Sequence, residues 1–137
     1  MSRDESAARQ EQRETSTSGE EAKEITYDMA VTAAHAALEM FAEDVLIMDL
    51  REAVSYTDYF VVASAETERQ TRRIADEVIE KMNEAGYRPT SRRIGEETQW
   101  VSLDYLDVLV HVFTTESRDF YRLESYWKGV PQERIEE

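Results

Sequence analysis

Cysteine is missing altogether. That excludes a disulfide scaffold, a thiolate nucleophile and a zinc-thiolate site, and it suits a reducing compartment. Glycine is scarce. The four glycines are scattered, and none opens a helix after a strand, so no phosphate-cradling loop can be assembled. Only two histidines are available as general bases, and no serine sits in a nucleophile elbow. No apolar run approaches the length of a membrane span. The N-terminal stretch is polar and acidic, unlike a secretory leader or an arginine-rich transit peptide, so a soluble, cytoplasmic protein is expected. Basic residues are outnumbered 16 to 30, giving a net charge of −14. A surface this acidic repels a phosphate backbone and disfavours direct, sequence-specific nucleic-acid binding. It favours a basic protein partner, although the same excess also keeps a small domain soluble.

What is present amounts to one domain, since 137 residues can bury a real core but not two of ordinary size. Residues 1–24 hold only Met1, Ala7, Ala8 and Ala22 as apolar groups, too few to offset ordering entropy, so an acidic, disordered tail is expected there. The domain is expected over 25–130, with a short C-terminal tail at 131–137.

Within the domain, Met29, Ala30, Ala33, Ala34, Ala37, Leu38 and Phe41 recur at spacings of three and four. They predict a helix capped by Thr26, its alanines allowing close approach to a sheet. His35 falls off that face. Val45–Leu50 and Asp58–Ala63 are short apolar runs that predict interior strands, with a polar turn at Ser55, Thr57 and Asp58. Ser64 is a candidate cap for a helix running to about Ala85, with Ile74, Val78, Ile79 and Met82 buried and Gly86 beyond its end. Its first turns carry Arg69, Arg72 and Arg73, cations set against the helix dipole. Ion pairs to Glu66, Asp76 or Glu77 would hold them; contact with a partner is the other use. Tyr87–Ile94, with Pro89 and three arginines, suits an edge strand. Gly95–Thr98 turns the chain, and after Phe113 a final helix capped by Thr115 carries Phe120, Leu123 and Trp127 as one stripe. The order of elements predicts an α/β domain, a mixed β-sheet with packed helices.

The densest signal is Trp100–Phe113, read as a hairpin. Val101, Leu103 and Tyr105 share one face of its first strand, while Trp100, Ser102 and Asp104 share the other. Asp104 and Asp107 bracket the turn, a position aspartate favours for its backbone hydrogen bonds. A tryptophan, a tyrosine and two carboxylates near a sheet edge also resemble a protein-binding hot spot. A metal shared by Asp104, Asp107 and His111 is disfavoured, because Asp107 and His111 lie roughly 13–14 Å apart along a strand. His111 reads as a satisfied interior histidine. No catalytic residue, metal site or cofactor is assigned.

Several segments together resemble the ribosomal silencing factors, the Iojap family. These are Thr57-Asp58-Tyr59-Phe60-Val61-Val62-Ala63, Glu68-Arg69-Gln70, Trp100-Val101-Ser102-Leu103-Asp104-Tyr105, Asp107-Val108-Leu109-Val110-His111-Val112-Phe113, and Phe120-Tyr121-Arg122-Leu123-Glu124 with Trp127. Their order and spacing are kept over about Ile25–Val130. The resemblance implies a nucleotidyltransferase-like core without the catalytic residues. It also implies a translation repressor that is not an enzyme. Such a factor binds the large ribosomal subunit through the large-subunit ribosomal protein numbered fourteen and sterically blocks joining of the small subunit. A homodimer is implied as well. Carried over by position, Trp100, Leu103, Asp104, Tyr105 and Asp107 form the expected partner-binding set. The alternatives are a metal-dependent nucleotidyltransferase-type enzyme and a dimeric adaptor for another basic protein. The chain departs from the family in having Leu106 where a glycine often stands, and Glu97, Thr98 and Gln99 where a further glycine often precedes the tryptophan. Leucine disfavours positive φ, so a glycine-type turn is not expected at Leu106.

Overall fold

The computed structural model describes residues 24–94 and 99–136. The expected acidic tail, apart from its last residue, and the expected turn at 95–98 lie outside the described residues.

Helix α1 spans 24–39, so Thr26 sits within it, buried, instead of capping it. Ala30, Ala33, Ala34 and Ala37 have no exposed surface, and their small side chains let α1 lie close to the sheet. Phe41 falls past the helix end with φ 66 and points outward; the periodicity overextends the helix by two residues. Strands β1 (Glu43–Asp49) and β2 (Tyr59–Ala65) follow, and every residue of β2 is buried, as a strand covered on both faces requires.

Helix α2 (Glu68–Glu84) is capped by Thr67, whose side chain accepts from the Gln70 N–H. Ser64, the expected cap, belongs to β2 and donates to the Glu43 carbonyl instead. Ile74, Val78 and Met82 are fully buried on α2, each contributing roughly 1.5–3 kcal/mol of gross hydrophobic stabilisation. Strand β3 (Ser91–Ile94) is an exposed edge, as its arginines suggest. Strands β4 (Trp100–Asp104) and β5 (Val108–Thr114) form the expected hairpin.

Helix α3 (Thr115–Tyr121) is capped by Thr114, not Thr115, and ends where Arg122 turns left-handed at φ 53. A short α4 (Leu123–Tyr126) follows. The break removes Phe120 from the expected buried stripe and leaves it 79% exposed, while Leu123 and Trp127 still pack on the sheet. The buried Arg118 ties α3 down, donating to the Asp44 carbonyl at 2.6 Å and to Ser64 Oγ at 3.1 Å.

Residues 131–136 are not a tail. Strand β6 (Gln132–Arg134) pairs antiparallel with β1, and Ile135 is buried in the core. The run is short and polar because it is an outer edge, so periodicity could not reveal it. The six strands are ordered β3-β4-β5-β2-β1-β6, with β2 and β5 parallel and the other pairs antiparallel. The mixed α/β architecture agrees with the order of elements read from the sequence. Helices α1 and α2 cover one face, and a second cluster on the opposite face joins Met48, Leu50, Phe60, Val62 and Phe113 to Leu123, Trp127 and Val130.

Candidate functional site

The second face is covered only in part. Leu123, Trp127 and Val130 close it over β1, β2 and the Phe113 end of β5. Beyond them Trp100, Ser102 and Asp104 of β4 form a half-exposed row beside half-buried Leu109 of β5. Arg93 and Ser91 of β3 pair with Ser102 and Asp104, so they extend the same face to the exposed edge. The result is a flat surface with an aromatic end and an acidic end.

Trp100 anchors the aromatic end. Its indole N–H donates to His111 Nδ1 at 3.1 Å, and its ring lies 4.8 Å from that of Phe113 and 5.0 Å from that of Tyr121. Because Nδ1 accepts, the proton of neutral His111 sits on Nε2, which is buried without a hydrogen-bond partner among the described residues. The imidazole meets Phe60 edge-on at 4.6 Å. Burial drives the His111 pKa down to about 4, so the ring stays uncharged near neutral pH and keeps its acceptor for the indole. Trp100 is therefore both a packing residue and a fixed surface residue. Tyr121 and Phe120 extend the aromatic edge into solvent, 52% and 79% exposed. Neither was among the expected contact residues, and Phe120 was expected to be buried, since the kink at Arg122 that turns it outward has no glycine to mark it.

The acidic end is the hairpin tip. Leu106 adopts φ 73 despite its side chain, so the glycine-type turn is present after all. Its left-handed backbone is held by Asp104 Oδ1, which accepts the Leu106 N–H at 2.7 Å, and by the Asp107 N–H donating to the Tyr105 carbonyl at 2.9 Å. The Asp107 carbonyl in turn accepts from the N–H groups of Asp58 and Tyr59. Half-buried Asp104 and Asp58 and exposed Asp107 thus gather around an exposed leucine.

The structure does not bring all five expected contact residues to one surface. Leu103 is fully buried and Tyr105 nearly so, both within the core beneath α1 and α2. The cause is strand alternation, which sends Val101, Leu103 and Tyr105 to the face opposite Trp100 and Asp104. Burial raises the Tyr105 pKa to about 12, and its hydroxyl has no hydrogen-bond partner among the described residues. Trp100, Asp104 and Asp107 remain accessible, with Leu106 and Tyr121 as additions. His111 and Asp104 are engaged with Trp100 and the turn backbone respectively. Among the described residues no three His, Asp or Glu side chains converge to hold a metal ion.

A single α/β sheet domain with a half-open face, rigid aromatics at one end and carboxylates at the other, has the chemistry of a protein-binding surface. Residues 20–137 match the family described as ribosomal silencing factor during starvation, and the chain belongs to that family. It is 33% identical over 90 residues to a Bacillus subtilis protein named ribosomal silencing factor RsfS, covering 66% of this chain and 76% of that one. It is also 33% identical over 101 residues to the chloroplastic protein Iojap of Zea mays, covering 72% of this chain and 42% of that protein. A crystal structure of a Chromobacterium violaceum protein superposes with a TM-score of 0.71 at 28% identity, covering 74% of this chain and 85% of the other.

Proposed function

We propose that this protein represses translation by binding the large ribosomal subunit through the ribosomal protein numbered fourteen, so that the small subunit is sterically kept from joining. The observation that carries this reading is the half-open sheet face of a chain that belongs to the ribosomal silencing factors. Trp100 and Tyr121 serve as anchors, already ordered by His111 and Phe113 and so losing little entropy on contact. Asp104 and Asp107 meet Lys or Arg of the basic partner. Leu103 and Tyr105 act from beneath, fixing the strand that presents them. The chain works in the cytoplasm as a homodimer, with exposed Phe120 and Tyr126 supplying apolar surface to a second copy.

Co-sedimentation with purified large subunits tests the docking. Trp100→Ala combined with Asp107→Ala should weaken it at least about 30-fold, the scale of losing one hot spot of about 2 kcal/mol. Undiminished co-sedimentation by this variant, shown folded by circular dichroism, would remove the sheet face from consideration. Specific binding of magnesium and ATP in calorimetry would count for a nucleotidyltransferase instead.

A further inference from the structure

The end of the sheet away from the acidic tip carries an arginine cluster, set among the exposed acids Glu66, Glu68 and Glu116. Ala65, Gln99 and Thr114 meet there: the Thr114 N–H donates to the Gln99 carbonyl at 2.9 Å, and the Thr115 hydroxyl donates to the Ala65 carbonyl at 3.3 Å. From this end the chain passes through Thr67 into α2, whose first two turns carry Arg69, Arg72 and Arg73. All three are exposed, and none forms an ion pair or hydrogen bond with another described residue. Of the acids expected to hold them, Asp76 pairs with Arg92 at 3.1 Å and Glu77 with Lys81 at 4.0 Å, while Glu66 is exposed and makes no ion pair with them. Arg69 and Arg73 line a groove of about 410 Å³ together with Met40, Phe41, Thr67 and Gln70. Phe41 is 78% exposed there, on a left-handed backbone.

Three guanidinium groups near a helix N-terminus oppose the macrodipole and repel one another, and Glu68 is the one acid in that first turn. Anionic ligand charge at this corner would offset both costs. We propose that this arginine corner grips the phosphodiester backbone of RNA on the particle to which the sheet face docks. The particle is supplied by the function proposed above; the anion is argued from the corner itself. Arg69 and Arg73 stand one turn apart, about 5–6 Å between Cβ atoms, a spacing that lets two planar forks engage phosphates along one strand. Phe41 offers an apolar surface for a ribose or a base beside them. The net charge of −14 opposes long-range attraction of RNA, so the grip is one of short-range guanidinium–phosphate contact. The acidic tip lies at the far end of β5, about 20 Å along the strand, and charges that far apart are screened at a Debye length of about 8 Å.

The test uses the full chain and R69Q/R72Q/R73Q, titrated with purified large subunits over a series of salt concentrations. The same pair is titrated with the isolated ribosomal protein numbered fourteen and with a labelled RNA duplex of twenty base pairs. For the subunit, the triple variant should lose about 2 to 3 from the slope of log affinity against log salt, and about tenfold or more in affinity at low salt. The duplex should bind the wild type at low salt and the variant far less, while the isolated protein binds both equally. An unchanged subunit slope overturns the proposal. So does an equal loss against the isolated protein, which would make the occupant a protein surface. Arginine-dependent binding of the duplex, with no binding to subunit or ribosomal protein, would sink the docking function and leave the RNA grip standing.

Discussion

Lowering the pH from 7.5 to 5 removes about 2 kcal/mol of stability through His111 alone. The folded pKa is about 4, against about 6.5 for an unhindered histidine. A depressed folded pKa means that the unfolded chain binds the proton first. This contribution is therefore intact above about pH 6.5, declines as pH falls, and is fully lost below about 4. At pH 5 nearly every unfolded chain carries the proton, while only about a tenth of folded chains do, which gives the 2 kcal/mol. Carboxylates titrate in the lower part of the window too, so the measurement must be differential. His111→Asn is the reference, because its Oδ1 stands where Nδ1 does and can still accept from the Trp100 indole. Urea unfolding of both proteins, followed by circular dichroism, gives the two stabilities at each pH. Working at pH 5 stays above the isoelectric region near 4.5. The wild type should lose about 2 kcal/mol more than the variant between the two pH values. Parallel losses would mean that His111 is solvated in the folded state, and that Trp100 is not fixed in the way described here.

Two further perturbations probe the hairpin tip and the outer edge. Leu106→Gly should stabilise the fold by about 0.5–1 kcal/mol in urea unfolding, since a left-handed backbone costs a side-chain-bearing residue about 1–2 kcal/mol and glycine's greater unfolded-state freedom returns part of the gain. A lower stability would show that the leucine side chain supports the turn. Truncation after Val130 removes the β6 ladder, the buried Ile135 and the Tyr27 hydroxyl's bond to Glu133 at 2.6 Å. It should lower stability by about 2–4 kcal/mol, and an unchanged thermal midpoint would return 131–137 to the status of a tail.

The sheet was legible in the sequence wherever one physical signal dominated. Val45–Leu50, Asp58–Ala63 and Val108–Phe113 are too apolar to be anything but interior, and alternation alone assigned Trp100 and Leu103 to opposite faces. The errors arose where local chemistry offered several equivalent choices. Ser64 and Thr67 are both good caps, and only the length of β2 decides between them. Phe120 keeps helical spacing with Leu123 and Trp127, but the helix breaks at Arg122, a residue type that does not announce a left-handed turn. Leu106 shows the same effect in reverse. A leucine argues against positive φ, yet the Asp104 carboxylate and the hairpin ladder on either side outweigh the steric penalty. The site was half legible for a related reason. Five residues close in sequence were expected to act together, whereas a strand sends consecutive side chains to opposite faces.

Net charge is a sum, and recognition depends on where the terms of that sum lie. The total of −14 argued against any phosphate ligand, and over most of the surface it still does. The fold gathers part of the charge into local clusters. Asp58, Asp104 and Asp107 collect at the hairpin tip because turns favour aspartate and because β2 and β5 start at the same end. Arg69, Arg72 and Arg73 collect at the other end because α2 begins where β2 stops. Parallel pairing of β2 with β5 fixes both ends at once, so the topology sets the aspartate cluster and the arginine cluster at opposite ends of the domain. A ribonucleoprotein surface offers basic protein beside RNA phosphate, and on the function and the RNA grip proposed above a domain with these two clusters would meet both, the aspartates facing the protein and the arginines facing the backbone. Such a domain gains orientation as well as affinity, since turning it end for end would set carboxylate against phosphate and guanidinium against lysine.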